Sequence, residues 1–141
     1  MNLQKILLIA GIPLLLNGCS TLKDLKNANI GTEFTQSAKG YRNLVRWQEF
    51  ESAISTYVSG PLQEEYRKKV REMGEVKVVD YRVKKEACDP VGRAATVVVE
   101  LDYYRPPSVT VKTVTDNQKW TYELVGDSGS WRLQTLLPDF K

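Results

Sequence analysis

The sequence of 141 residues contains no histidine. Histidine is the base in Ser-His-Asp and Cys-His catalytic arrangements, so enzymes of those kinds are excluded. Zinc sites that depend on imidazole ligands are excluded for the same reason. Acid–base chemistry would therefore have to come from other side chains, such as carboxylates or tyrosines.

Cysteine is nearly absent as well, since only Cys19 and Cys88 occur. Two cysteines are too few for a cysteine-rich metal site, and we predict neither a metal nor another cofactor. If Cys19 is modified, Cys88 has no partner for an intramolecular disulfide. Cys88 is then either a free thiol or a small buried hydrophobic residue, and the second interpretation is favoured.

The excess of positive over negative charge is also small, because the formal net charge is only +3. A bias this weak does not indicate nucleic acid as a partner, and we predict none. The densest basic region comprises residues 67–71 with Lys77, Arg82, Lys84 and Lys85. It could face anionic lipid or cell-wall polymers. A solvated helix face with glutamate partners is the favoured interpretation.

The longest apolar run, residues 6–16, has eleven residues and is broken only by Gly11 and Pro13. A transmembrane helix takes about 20 apolar residues, so this run is too short to span a bilayer. It follows Lys5, and a basic start before a run of this length is typical of a secretory signal peptide. The run ends in Leu16-Asn17-Gly18-Cys19.

This ending resembles the bacterial lipobox, which places an aliphatic residue at −3 and a small residue at −1 before an invariant cysteine. The resemblance implies cleavage before Cys19 and acylation of that cysteine, so we expect residues 1–18 to be a signal peptide. Ser20, rather than Asp, implies sorting to the outer membrane with the domain facing the periplasm. The alternatives are a plain signal peptide and a buried N-terminal helix with a chance cysteine.

Residues 19–40 are polar with scattered Leu, Ile and Phe, and no helical or strand period persists in them. We predict that this stretch is a flexible tether of about 25 Å root-mean-square span. The alternative is that residues 32–39 open the first helix. A domain would then occupy residues 41–141.

Two helices are predicted at the start of this domain. Apolar residues recur at spacings of three and four from Trp47 to Val58, which predicts a helix over residues 41–59. Gly60-Pro61 separates it from a second helix that ends at Gly74.

Strands are predicted over residues 76–87, 94–104, 109–114, 119–125 and 131–137, with residues 115–118 as a turn or bulge. The fold class is therefore α+β, with N-terminal helices on a curved antiparallel sheet of four to five strands. The helix-covered face should carry the alternate apolar residues of the later strands, which are Val97, Val99, Leu101, Trp120, Tyr122, Leu124, Trp131 and Leu133.

Three stretches carry a resemblance to the nuclear-transport-factor-2-like superfamily: WQEFESAISTY, RAATVVVELDYY and KWTYELVGDSGSWRLQTLLPDF. The resemblance covers residues 41–141 and implies a cystatin-like α+β fold whose curved sheet wraps around helices. Members include isomerases, dehydratases, transport factors and small binding modules, so the fold does not determine the function. No catalytic motif of the family is available to carry over.

Carboxylates on the predicted strands are the candidates for a pocket. Asp80 and Asp102, with Tyr122, could form a small acid–base site if burial raised a carboxyl pKa. Glu100 lies in the same stretch as Asp102. The favoured alternative places these charges on the solvent face of half-buried strands.

Tyr103, Tyr104 and Arg105 precede a Pro-Pro corner and are the candidates for a partner surface, because exposed aromatic residues on loops often mark one. The alternative is that one tyrosine belongs to the core. We favour a non-catalytic binding or assembly module, anchored through Cys19, for an envelope protein or a small apolar ligand. The alternative function is a pocket enzyme of the isomerase or dehydratase type.

Overall fold

The computed structural model describes residues 19–141, with side chains from Leu22 onward. The helices are α1 (Cys19–Arg46), α2 (Phe50–Tyr57) and α3 (Gln63–Met73), with a short 3₁₀ turn at Gly60–Leu62 before α3. The strands are β1 (Lys77–Asp89), β2 (Ala94–Tyr104), β3 (Lys112–Val125) and β4 (Ser128–Leu133). The predicted signal peptide, residues 1–18, lies outside the described residues.

The four strands form one open antiparallel sheet in the order β1-β2-β3-β4. The helices cover one face of it, which confirms the predicted α+β class. We call the covered face the inner face and the opposite one the outer face. Residues of β2 alternate strictly, with Val97, Val99 and Leu101 buried on the inner face. This alternation follows from the period of two along a strand.

The prediction of a flexible tether over residues 19–40 is wrong, because α1 runs through all of it. Ile30 and Phe34 are 4% and 0% exposed, and Phe34 packs edge-on against Trp120 and Trp131. The indole N–H of Trp131 donates to the carbonyl of Ile30 over 2.8 Å. The second half of the predicted tether, from Ile30 onward, therefore belongs to the part of α1 that packs in the core.

The predicted helix over residues 41–59 is broken into the end of α1 and the whole of α2. The amides of Gln48 and Glu49 donate to the carbonyls of Val45 and Leu44, and Gln48 has φ of 61°. These two bonds form a Schellman ending, in which a left-handed residue follows the helix. Glycine usually takes that position. Because Gln48 takes it here, the end of α1 could not be predicted from a glycine.

Other strand boundaries also differ from the prediction, since β3 begins at Lys112 rather than residue 109 and β4 begins at Ser128 rather than residue 131. Residues 112–125 form the single strand β3, so the predicted turn at residues 115–118 is wrong. The last strand ends at Leu133 rather than at residue 137. Leu124, predicted on the inner face, is 54% exposed near the end of β3. The remaining predicted inner residues of β2, β3 and β4 are buried or half-buried.

Gly40 allows α1 and α2 to cross closely. A side-chain carbon at this position would lie 2.0 Å from the hydroxyl of Tyr57 on α2. Any larger residue would force the Tyr57 side chain to move, because no real carbon makes so short a contact.

Candidate functional site

Trp47 is the largest exposed aromatic residue of the described chain, with 74% of its surface accessible. The sequence places it in the apolar stripe of a long helix, and that prediction is wrong. The Schellman ending at Gln48 turns the chain immediately after Trp47, so the indole leaves the helix pattern and faces solvent. An indole this exposed contributes little to the core and is available for contact at the surface.

A groove of about 380 Å³ lies beside Trp47 at the far end of α1 from Cys19. We call it the Trp47 groove; its lining residues are Arg46, Trp47, Gln48, Lys77, Val78, Val79 and Tyr104. The lining holds two cationic side chains and no carboxylate, although Glu75 lies 3.7 Å from the Lys77 ammonium. Trp, Tyr and Arg are the residue types most enriched where proteins bind one another tightly.

Only one of the three residues predicted as a partner surface lies in this groove. Tyr104 points to the outer face, whereas Tyr103 is 3% exposed and its hydroxyl donates to the carbonyl of Lys141 over 2.7 Å. Arg105 donates to the carbonyls of Met73 and Phe140 over 2.8 and 2.5 Å. The prediction of one surface from Tyr103, Tyr104 and Arg105 is therefore wrong, since consecutive strand residues face opposite ways.

The predicted carboxylates Asp80 and Asp102 do meet, but on the outer face. They are directly opposite each other on β1 and β2, and the Arg82 guanidinium binds both, at 2.8 Å from Asp80 and 2.9 Å from Asp102. Thr113 also donates to Asp102 over 2.6 Å. Arg82 lowers the pKa of Asp80, and Arg82 and then Thr113 lower the pKa of Asp102 to about 2.

Tyr122 does not join these carboxylates. Its ring packs against Trp131 on the inner face, with 5.6 Å between ring centroids. The prediction that Asp80, Asp102 and Tyr122 share a pocket is therefore wrong. The low carboxyl pKa values are the opposite of what a proton-moving acid in a pocket needs.

A buried polar cluster lies on the inner face and was not predicted from the sequence. Gln118 is 2% exposed and donates to the carboxylate of Asp116 over 2.7 Å and to the hydroxyl of Tyr81 over 2.9 Å. Its carbonyl oxygen accepts the indole N–H of Trp120 over 3.2 Å. Both ends of this amide are thereby bound, which fixes its orientation.

Two tyrosines extend this polar region towards the helices. The hydroxyls of Tyr41 and Tyr66 lie 2.6 Å apart, which links α1 to α3 inside the core. Burial raises the pKa of Tyr41, Tyr66 and Tyr81, so all three are neutral at neutral pH. Burial also raises the pKa of Asp116, to about 6.

The stretch TDNQ, residues 115–118, predicts a turn or bulge because of its polar composition. A signal for the cluster was nevertheless present. Asp116 and Gln118 occupy alternate positions in phase with Trp120 and Tyr122, as expected for one face of a continuous strand.

A cavity of about 100 Å³ lies between α1 and the sheet, next to this cluster. Gln118, Tyr81 and Val97 line it from the sheet, and Lys39 and Arg42 line it from α1. Asp116 does not belong to the lining. A space of this size accommodates several water molecules, or a ligand no larger than a small ring.

The basic stretch at residues 67–71 is a solvated helix face. Arg67 binds Glu51 at 2.9 Å, Lys68 lies 3.7 Å from Glu72, and Arg71 lies 3.5 Å from Glu64. Lys69 pairs with Asp139 in the C-terminal segment. These pairs favour the glutamate-paired interpretation over a free anion-binding surface.

Comparison with known proteins found no match, either to a model of a protein family or to a curated protein. Within residues 19–141, no helix has the length and apolar character needed to cross a membrane. Nor does that part of the chain bring three or more carboxylate or thiol side chains together as a metal site would require.

Proposed function

We propose that this protein is an outer-membrane lipoprotein, anchored through Cys19, whose periplasmic domain is a non-catalytic binding module for an envelope protein. The lipobox-like Leu16-Asn17-Gly18-Cys19 and the following Ser20 support the anchor and its location. The Trp47 groove supports binding, and it is the observation that carries the proposal. Membership of the nuclear-transport-factor-2-like superfamily stays part of the proposal, supported by the α+β fold.

The continuity of α1 defines how the domain is attached. Helix α1 begins at Cys19, and its first buried core residue is Ile30. Eleven residues of helix span about 16 Å at a rise of 1.5 Å per residue. The domain is therefore joined to its proposed anchor by a helical segment rather than by the flexible chain that the sequence predicts. Trp47 lies at the other end of the same helix, about 40 Å along its axis.

The chemistry of the Trp47 groove favours an acidic protein segment as the proposed partner. Arg46 and Lys77 provide positive charge, while Val78 and Val79 provide apolar contact beside the two aromatic rings. A segment that combines a carboxylate with an apolar or aromatic side chain complements all of these features.

The enzymatic alternative receives less support. Its two candidate carboxylates are bound by Arg82 on the outer face, away from the cavity beneath α1. The carboxylate with a raised pKa, Asp116, is bound by Gln118 and lies outside the cavity lining. We therefore do not propose an isomerase or dehydratase activity.

The anchor is tested by intact mass spectrometry of the protein extracted from bacterial membranes. We expect a chain that begins at Cys19 and carries acyl groups, and we expect Cys19→Ala to leave the membrane fraction. Cys88→Ala is the matched control and should behave as the wild type. Membrane association of Cys19→Ala, or an unmodified Cys19 in the wild type, would contradict the anchor.

The binding module is tested by in-cell crosslinking of the anchored protein, followed by quantitative mass spectrometry of co-purified proteins. We expect one envelope protein near one-to-one, reduced at least about tenfold by Trp47→Ala, since an aromatic anchor residue commonly contributes about 2 kcal/mol or more to binding. Val125→Ala is the control, because Val125 is 73% exposed at the distant β3–β4 turn. Equal recovery with both variants would rule out the Trp47 groove.

A further inference from the structure

The first turns of α1 project from the domain and carry two exposed leucines. Leu22 and Leu25 are 71% and 62% exposed, and no residue from 22 to 29 is buried. The segment contributes no residue to the buried core, although it continues a helix that does. The two leucines are therefore available for contact with another surface.

The helical phase shows that the domain itself cannot cover these leucines. Successive residues of an α-helix are turned by about 100°, so the direction between Leu22 and Leu25 is about 130° from that of Ile30 and Phe34. The exposure agrees with this geometry, since Asn27 falls on the side of the core and is half-buried. The two leucines thus form a patch on the side of α1 that faces away from the domain.

A second copy of α1 is a poor occupant for this patch. A helical pair needs apolar residues that continue at alternating spacings of three and four. Those positions after Leu25 are occupied by Asn29, Thr32 and Gln36, all of which are polar and exposed. The apolar character is confined to the turns next to Cys19.

We infer that Leu22 and Leu25 insert into the surface of the phospholipid bilayer and set the tilt of the domain on it, an inference that rests on the proposed acylation of Cys19. Leu22 and Leu25 lie about 5 and 9 Å along the helix from Cys19. Interfacial helices bury their apolar face about 5–10 Å into the boundary between headgroups and acyl chains. Lys26 is exposed and lies about 70° around the helix from the centre of the leucine patch, so its ammonium group is available to lipid phosphates.

The inference is tested with an environment-sensitive nitrobenzoxadiazole dye on the acylated protein in phosphatidylethanolamine–phosphatidylglycerol vesicles. The dye is attached to Leu25→Cys or to Asn27→Cys, each in a Cys88→Ala background so that one free thiol remains. We expect blue-shifted emission and quenching by brominated lipid at position 25, and no quenching by brominated lipid at position 27, which is half-buried on the side of the domain. Mass spectrometry of the same samples reports the acylation of Cys19.

The outcomes separate this inference from the proposed function. An acylated protein with water-like emission at position 25 would overturn the bilayer contact and leave the anchor intact. A blue shift at position 25 without quenching by brominated lipid would assign the leucines to a protein contact instead. Equal quenching at positions 25 and 27 would contradict the inference that only the leucine side of α1 contacts the bilayer. An unmodified Cys19 would overturn both proposals.

Discussion

On the inner face of the sheet, Asp116 is 3% exposed and has an amide, Gln118, as its polar partner. On the outer face, Asp102 is bound by the guanidinium of Arg82 and by the hydroxyl of Thr113. Burial raises the pKa of Asp116 to about 6, whereas Arg82 and Thr113 lower that of Asp102 to about 2. An aspartate thus has a raised pKa on the inner face and a lowered pKa on the outer face of the same sheet.

The difference extends from these aspartates to the two faces as a whole. The inner face combines close aromatic packing with a buried polar cluster in which both ends of the Gln118 amide are bound. The outer face carries an ionic cluster of Arg82 with three carboxylates, at Asp80, Glu100 and Asp102. Substitutions should therefore alter stability strongly on the inner face and act mainly through charge on the outer face.

The largest contrast is expected between two consecutive residues of β2. Leu101 is fully buried, so Leu101→Ala should lower the free energy of unfolding by about 2–5 kcal/mol through lost burial and the cavity it leaves. Glu100→Ala removes only solvent-accessible ion pairs and should cost less than about 1 kcal/mol. Urea unfolding at pH 7 measures both, and equal losses would contradict the assignment of faces.

Asp116→Asn tests whether the buried carboxyl group of the inner face makes stability depend on pH. Because the folded pKa of about 6 exceeds the unfolded value of about 3.9, stability is full below about pH 4 and falls as the pH rises through 6, by about 3 kcal/mol in total. The amide that replaces the carboxyl group does not titrate. The variant should therefore match the wild type near pH 4 and exceed its stability by up to about 3 kcal/mol at pH 8.

Urea unfolding at pH 4, 6 and 8 tests this expectation. Asp127→Asn, in the exposed β3–β4 turn, is the control for removal of one negative charge. If Asp116→Asn were less stable than the wild type at pH 8, the hydrogen bond from Gln118 would stabilise the ionised carboxylate by more than its burial costs.

The α+β class and the inner face of β2 were predictable because both rest on strong periodicities. Strand β2 runs from Ala94 to Tyr104 as predicted, and its alternate residues are buried. The end of α3 at Gly74, which has a positive φ of 65°, was predictable from the glycine alone. Signals of this kind depend on residues that lie close together in the sequence.

The features that were missed depend on contacts distant in sequence. Asp116 and Gln118 resemble a turn by composition, and the contact of Gln118 with Tyr81 comes from a strand distant in sequence. Ile30 and Phe34 are two apolar residues in a polar stretch, and only Trp120 and Trp131 make them part of a core. The Trp47 groove arises from a helix ending without glycine, which no composition rule indicates.

A smaller effect than that of Asp116→Asn is expected for Asp102→Asn on the outer face, and its pH dependence should be opposite to that of Asp116. Because the folded pKa of about 2 lies below the unfolded value, the stabilisation is present above about pH 4 and is lost as the pH falls through 2. The variant should therefore be less stable than the wild type at pH 7 and equal to it near pH 2. Urea unfolding at these two pH values measures the difference.

The pair with Arg82 supplies the control. If the effect of Asp102→Asn arises from this contact, it should shrink in an Arg82→Met background. It should also shrink in 1 M NaCl, where salt screens charges beyond a Debye length of about 3 Å. An effect that is unchanged by both would place the stabilising interaction with Thr113, the other donor to Asp102. The low pKa of Asp102 would then arise from a hydrogen bond with a neutral donor rather than from the charge of Arg82.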